Sequence, residues 1–221
     1  MYSIAIDGPA GAGKSTIAKL IAKQIGFVYV DTGAMYRAIA LYFLRRGIDG
    51  HDRETIAAHC PDIRVSLAYD EEGRQQVLLN GENVTPYIRE EEVGKMASVT
   101  SAIPEVRAAL LDLQRNMALT TDILMDGRDI GTHVLPNASL KIYLTASSAI
   151  RARRRYDELC EKGIPCDIRQ IEQDIILRDK QDMEREIAPL RKADDAVLVD
   201  SSDLSIDEVV SAVIAEFDKI K

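Results

Sequence analysis

The chain has 221 residues, 46% hydrophobic and 29% charged, with a formal net charge of −8. That apolar content is enough for one sizeable core under a normal polar surface, and the acidic balance argues against an extended nucleic-acid face, which would be basic. No basic segment followed by an apolar leader opens the sequence and no apolar run has membrane-spanning length, so the expectation is a cytoplasmic protein without a membrane partner.

Residues 2–6 are a short apolar run that suits a buried strand. Directly after it, Gly8-Pro9-Ala10-Gly11-Ala12-Gly13-Lys14-Ser15 matches G-x-x-x-x-G-K-[ST], the loop pattern that cradles phosphates. Residues 14–25 then read as a helix with Ile17, Leu20, Ile21 and Ile25 on one face. Strand, glycine loop and helix follow in the order the chemistry needs. A triphosphate is a dense anion, met here by successive backbone N–H groups and the positive end of a helix. Gly8, Gly11 and Gly13 allow the backbone to curl closely, Lys14 reaches the β- and γ-phosphates, and the Ser15 hydroxyl is suited to Mg²⁺, with Thr16 next along the helix start.

Residues 27–30 predict a second strand, 32–46 a helix ended by Gly47, and 53–60 a short helix stopped by Pro61. Between about 62 and 90 the rhythm changes. Residues 63–69 and 75–79 are alternating or β-branched, with Asp70-Glu71-Glu72-Gly73 between them and Asn80-Gly81 as a second turn signal, so a small antiparallel sheet is expected as an insert. Residues 104–117 form an amphipathic pattern with Val106, Leu110, Leu113 and Met117 in a stripe. A strand at 123–125 ends at Asp126; another lies at 140–144. Charge-rich helices at 147–162 and 167–186 precede a strand at 197–199 and a helix at 205–217, opened by the capping box Ser205-Ile206-Asp207-Glu208. This alternation predicts an α/β fold, a mainly parallel sheet flanked by helices, in a single domain with a core of 1–61 and 91–221.

The loop alone does not choose between kinase, GTPase, motor and sensor. The guanine motif Asn-Lys-x-Asp is absent, and a motor would need a longer chain. A phosphotransferase should carry arginines grouped to hold two phosphate-bearing substrates, because phosphoryl transfer is chiefly positioning and charge neutralisation. Arg37 follows the second strand and Arg128 follows the strand ending at Asp126. Arg151, Arg153, Arg154 and Arg155 crowd one helix; singly each is as well read as a surface charge, but together they call for something anionic. Arg178 and Arg185, seven apart, share a helical face with Asp182, which is equally open to reading as the intrahelical partner of Arg178. Asp126 has the look of a Walker B carboxylate, linked to the metal directly or through water. The three cysteines, Cys60, Cys160 and Cys166, and the three histidines, His51, His59 and His133, form no metal-binding motif.

These residues resemble the bacterial cytidylate kinases, of the nucleoside monophosphate kinase group, from Ile4 to about Val213. The resemblance rests on 6–16, on Asp31-Thr32-Gly33-Ala34-Met35-Tyr36-Arg37, on Asp126-Gly127-Arg128-Asp129-Ile130-Gly131-Thr132, on Ile187-Ala188-Pro189-Leu190, and on the β-rich insert. It implies transfer of a phosphoryl group from ATP to CMP or dCMP with Mg²⁺ and small-molecule partners only, with a monomer as the expected state. It further implies that residues 8–16 hold ATP and that Thr32 contacts the acceptor nucleotide. By the same resemblance Arg37 and Arg128 hold the acceptor phosphate, and Ser98, Arg107 and Asp129 lie around the cytosine. Arg178 and Arg185 would bracket the transferring group or the monophosphate, Asp182 would touch the sugar hydroxyls, and Arg154 would belong to a short helical lid at about 150–168. The residue types suit a cytosine edge, whose amino donor and two acceptors need a carboxylate or hydroxyl and an arginine. A kinase for another acceptor, such as shikimate, and a nucleotide-binding switch without turnover are the rival readings.

Overall fold

Strand and helix alternate from the first residues onward. The computed structural model, which describes residues 1–221, begins with β1 (Ser3–Asp7), α1 (Lys14–Ile25), β2 (Val28–Asp31), α2 (Thr32–Arg45) and α3 (Arg53–His59). There follow β3 (Val65–Tyr69), β4 (Gln75–Leu79), β5 (Glu82–Asn83), α4 (Glu91–Thr100) and α5 (Pro104–Thr120). The rest is β6 (Ile123–Gly127), β7 (Leu140–Thr145), α6 (Ser148–Glu161), α7 (Ile168–Glu184), β8 (Val197–Asp200) and α8 (Ile206–Asp218). One sheet has the order β2-β6-β1-β7-β8 and a second the order β3-β4-β5. The chain forms two compact units, Met1–Tyr29 with Thr121–Lys221, and Val30–Thr120.

In the first unit β1 pairs in parallel with β6 and with β7, and β7 with β8. Parallel strands covered on both faces read as unbroken apolar runs, and Ile4-Ala5-Ile6 and Ile123-Leu124-Met125 are such runs, all buried. Ile4, Ile6 and Leu124 share one core with Ile17, Ile21, Ile142, Leu144, Val209, Val213 and Phe217. The expected face of α1 is corrected at Leu20, which is 42% exposed; the buried residues are Ile17, Ala18, Ile21 and Ala22. The helix turns its alanine flank inward, where small side chains permit close approach to the sheet, and leaves the bulkier Leu20 outside.

In the second unit α2 packs against α4, α5 and β4. The antiparallel sheet expected within 62–90 is present, with Val77 and Leu79 of β4 buried. Asn80 and Gly81 both have positive φ, 49° and 88°, the conformation that a two-residue hairpin turn demands. Three features depart from the sequence pattern. Pro61 does not stop the chain's coiling but lies inside a 3₁₀ turn, Cys60–Asp62, where its missing N–H is no loss. Helix α4 was not expected, because its buried stripe is only Val93, Ala97 and Thr100 and it contains Gly94. Helix α5 buries Val106, Arg107, Leu110 and Gln114, while Leu113 and Met117 are half-buried.

Gly8 fixes how closely the loop after β1 approaches β7. A Cβ there would stand 1.9 Å from the Leu144 carbonyl oxygen, at a φ of 150° that side chains rarely adopt. Gly8→Ala is expected to destabilise the fold by more than about 3 kcal/mol, read as a loss of soluble protein or a large drop in the thermal midpoint.

Candidate active site

The phosphate loop hangs between the end of β1 and the start of α1. Gly11 and Gly13 have φ of 76° and 85°, and Gly13 is the N-cap residue of α1, with no side chain to occupy the helix's first N–H groups. Those groups, with the helix dipole, favour an anion there. Lys14 is buried and its Nζ donates to the Pro9 carbonyl at 2.7 Å, so the lysine is folded over the loop it belongs to. Burial first, then the nearby Arg128 guanidinium, push its amine well below the ordinary lysine range, against the pull of Asp126, Asp7 and Asp182. The underside of the loop is held by Arg151. Its Nη1 donates to the Ala10 carbonyl at 3.0 Å, its Nε to the Ala146 carbonyl at 2.8 Å, and its guanidinium forks onto Asp179 of α7.

Asp126, at the end of β6, is buried and accepts from the Ser15 hydroxyl and from the Tyr29 hydroxyl, each at 2.9 Å. The two residues that the sequence offered separately for the metal, Ser15 and Asp126, are in direct contact. Two oxygen donors side by side are the chemistry a hard divalent cation takes.

Residues 127–135 form the second wall of this unit. Arg128 Nε donates to Asp182 of α7 at 2.9 Å. Asp129 is buried and its carboxylate accepts from Arg185 Nη2 at 3.2 Å. After it the chain makes a single π turn, Ile130–Val134, an element without any sequence signal. Asp7, the last residue of β1, accepts from the N–H groups of Ile130 and Gly131, both at 2.7 Å. Burial raises the Asp7 carboxyl to about 6; the two N–H donors and Lys14 oppose that rise, and Asp129 adds to it.

Arg185 does not lie on the helix with Arg178, as its spacing implied. Helix α7 ends at Glu184 and Arg185 is its C-cap, with extended backbone. The reason is the segment that follows. Ala188 takes a φ of 47°, its carbonyl accepts from Arg185 Nε at 2.6 Å, and Leu190 N–H donates to the Asp182 carbonyl at 2.8 Å, so 187–190 closes back on the helix end. Asp182 is likewise given to Arg128 across the fold. Arg178 is half-buried on α7.

The arginine cluster of α6 separates into individual roles. Arg153 pairs with Asp157, and Arg155 with Glu158, on the exposed helix surface. Arg154 Nη2 donates to the Ser201 carbonyl at 2.7 Å. Three of the four arginines thus meet anions of the protein itself, Asp179, Asp157 and Glu158, and Arg154 meets a neutral carbonyl.

The remaining sequence-predicted residues, Thr32, Arg37, Ser98 and Arg107, belong to the second unit. Thr32 is buried at the start of α2, just after Asp31, whose carboxylate caps the helix through Ala34 N–H and pairs with Arg89 at 2.6 Å. Burial pushes the Asp31 carboxyl up, but Arg89 and Arg37 together hold it below the ordinary carboxylate range. Arg107 is buried, donates to the Ser101 carbonyl at 3.2 Å and lies over the Tyr36 ring, at the α4–α5 corner that also carries Ser98. Sequence reasoning missed Asp7, Tyr29, the Asp31–Arg89 pair and Asp179. Asp7 alone carried a signal, since it ends an apolar strand just as Asp126 does.

A parallel α/β sheet with a glycine phosphate loop, a Ser–Asp oxygen pair and buried arginine–carboxylate pairs defines a P-loop phosphotransferase. The model of the cytidylate kinase family matches residues 4–219, and the chain belongs to that family. It is 52% identical over 220 residues to the cytidylate kinase of Caldicellulosiruptor bescii, covering 99% of this chain and 96% of the relative. It is also 52% identical over 218 residues to that of Exiguobacterium sp., covering 99% and 97%. Among solved structures, an uncharacterised protein from Eubacterium ventriosum is similar in fold alone, with a TM-score of 0.54 at 12% identity over 99% of each chain.

Two stability measurements test this geometry. Asp179→Asn removes the anionic partner of a buried guanidinium and is expected to lower unfolding free energy by about 3 kcal/mol in denaturant titrations. Asp7 binds its proton more tightly folded than unfolded, so its contribution to stability falls as pH rises from about 4 to about 6. Asp7→Asn should remove that slope, and the wild-type and variant pH profiles should diverge across the window by about 3 kcal/mol.

Proposed function

We propose that the chain transfers the γ-phosphoryl group of ATP to CMP or dCMP, giving ADP and CDP or dCDP. Beyond family membership, the observation that carries this reading is that one unit holds the phosphate loop together with two arginines paired to buried carboxylates, Arg128–Asp182 and Arg185–Asp129. Lys14 feels the charges of both Arg128 and Asp182, so the loop and the first of these pairs share one electrostatic neighbourhood. A protein that merely sensed a nucleotide has no need of such a second charged group.

In this reading the N–H groups of residues 8–16 and Lys14 bind the donor phosphates, and Lys14 exchanges the Pro9 carbonyl for a phosphate oxygen. Ser15 and Asp126 would hold Mg²⁺, which would supply neutralisation of phosphate charge. No general base is required, since the attacking group is already a phosphate oxyanion: its oxygen forms the new bond to phosphorus as the bond to ADP breaks, and the electron pair leaves on ADP. Arg37 and Arg128 hold the acceptor phosphate, and Arg178 and Arg185 neutralise charge developing during transfer. Thr32 and Asp182 contact the nucleotide and its sugar, and Ser98, Arg107 and Asp129 read cytosine against uracil. Arg154 acts from the lid, reaching ATP by releasing Ser201, and lid closure excludes the water that would hydrolyse the donor.

The test is ADP release with ATP and Mg²⁺ against CMP, dCMP, UMP, AMP, GMP and shikimate. Turnover confined to CMP and dCMP is expected. Equal use of UMP would overturn the assignment of Ser98, Arg107 and Asp129, and ATP binding without turnover on any acceptor would favour the switch. Arg178→Ala is expected to lower kcat by about a hundredfold or more with little change in the thermal midpoint.

A further inference from the structure

Asp7 sits one residue before the phosphate loop, yet its carboxylate is turned toward the residues that follow β6. Oδ1 accepts from Ile130 N–H and Oδ2 from Gly131 N–H, both at 2.7 Å. These two amides open the π turn that Asp129 caps. The Asp129 carbonyl accepts from His133 N–H at 2.9 Å and Val134 N–H at 3.1 Å. Asp129 is therefore fixed from both sides: its own carbonyl is engaged by the turn, and the next two amides are engaged by Asp7. The turn also has little room to shift. A Cβ on Gly131 would lie 3.1 Å from Lys141 Cδ and 3.3 Å from Asp7 Oδ2.

We propose that Asp7 is a positioning residue for acceptor recognition: its carboxylate clamps the Ile130 and Gly131 amides and so aims the Asp129 side chain. The inference rests on the proposed reading of cytosine by Asp129. Only a carboxylate serves at this position, because two separate oxygens must each accept an N–H. An amide offers one oxygen and turns its own N–H₂ against the second donor. Holding a buried charge here is unfavourable, as the raised Asp7 carboxyl shows; packing alone gives no reason to keep it. The donor loop has separate supports, Gly8 against Leu144 and Arg151 beneath Ala10. Asp7 also attracts Lys14, as a lesser influence beside burial and Arg128; Gly131→Ala keeps that charge, so displacing the turn alone should strike the acceptor side and spare the donor side.

The experiment is steady-state kinetics of Asp7→Asn, Gly131→Ala and Asp129→Asn, with CMP and UMP as acceptors and ATP as donor. For Asp7→Asn the KM for CMP should rise about tenfold, and the preference for CMP over UMP in kcat/KM should fall by a similar factor, while the KM for ATP stays within about twofold. Gly131→Ala, which keeps every charge and displaces the turn, should give the same pattern at about threefold, and it carries the test if Asp7→Asn does not fold. Combined with Asp129→Asn, the Asp7→Asn effect on selectivity should largely vanish, as expected of residues acting in series. If Asp129→Asn alters selectivity while Asp7→Asn and Gly131→Ala leave it intact, or if the KM for ATP rises as much as that for CMP, the positioning role is overturned. If Asp129→Asn itself leaves selectivity unchanged, the reading of Asp129 falls and this inference falls with it.

Discussion

A carboxylate buried at the end of a strand must be matched by donors, and the first unit is arranged around three of them. Asp7, Asp126 and Asp129 are each at most 5% exposed. Left unmatched, such charges would destabilise the fold by several kcal/mol each. Each is instead satisfied by a different part of the chain: Asp7 by two backbone amides of the π turn, Asp126 by the Ser15 and Tyr29 hydroxyls, Asp129 by Arg185. The parallel register sets Ile6 beside Asp126 and Asp7 beside Gly127, so strand pairing brings the acids to one edge. Satisfying them then fixes the start of α1, the course of the chain after β6 and the end of α7.

The arginines divide by burial and partner rather than by their crowding in sequence. Successive positions on a helix point in different directions, so four arginines within five residues are spread around α6. Arg151 points inward and is used up in holding the phosphate loop to α7, while Arg153 and Arg155 make exposed pairs of the kind that contribute about 0–1 kcal/mol. Arg128 and Arg185, far apart in sequence and outside that cluster, are paired with buried carboxylates, as Arg89 is in the second unit.

How far the sequence could be read follows from the same distinction. Backbone-encoded features were legible: the glycine pattern of the loop, the Asn80-Gly81 hairpin and the Ser205–Glu208 capping box each specify local geometry through residue type alone, and each appears in the structure. The Ser15–Asp126 contact was also within reach, because strand order in parallel sheets places strand ends together. Other features depended on tertiary partners. The exposure of Leu20 follows from which flank of α1 meets the sheet, and periodicity does not distinguish the two flanks. Arg185 leaves the helix because Ala188 and Leu190 recapture the helix end, a preference no residue in 178–186 displays. The π turn exists because Asp7, more than a hundred positions earlier, supplies its amides with acceptors.

The charge pairs bear on catalysis through reorganisation. A guanidinium free in water must shed solvent and order its side chain before it stabilises a phosphate, whereas Arg185 is already largely desolvated, Arg128 partly so, and both are held by carboxylates. In the proposed reading an arriving phosphate meets donors already held in place, and part of the energy of ordering them has been met in folding. The paired carboxylates keep the clustered guanidiniums and Lys14 from repelling one another without substrate, which lets so much positive charge be buried at all. In the proposed reading, the donor loop and Asp129, both of the first unit, then share a single reference. Gly8 begins the donor loop, Asp7 secures the turn that carries the acceptor-reading carboxylate, and both are set by β1, the central strand of the sheet. Within this unit the donor loop and the carboxylate proposed to read the acceptor are thus located from adjacent residues, the last of a buried strand and the first of the loop after it, and such positioning is what phosphoryl transfer draws on.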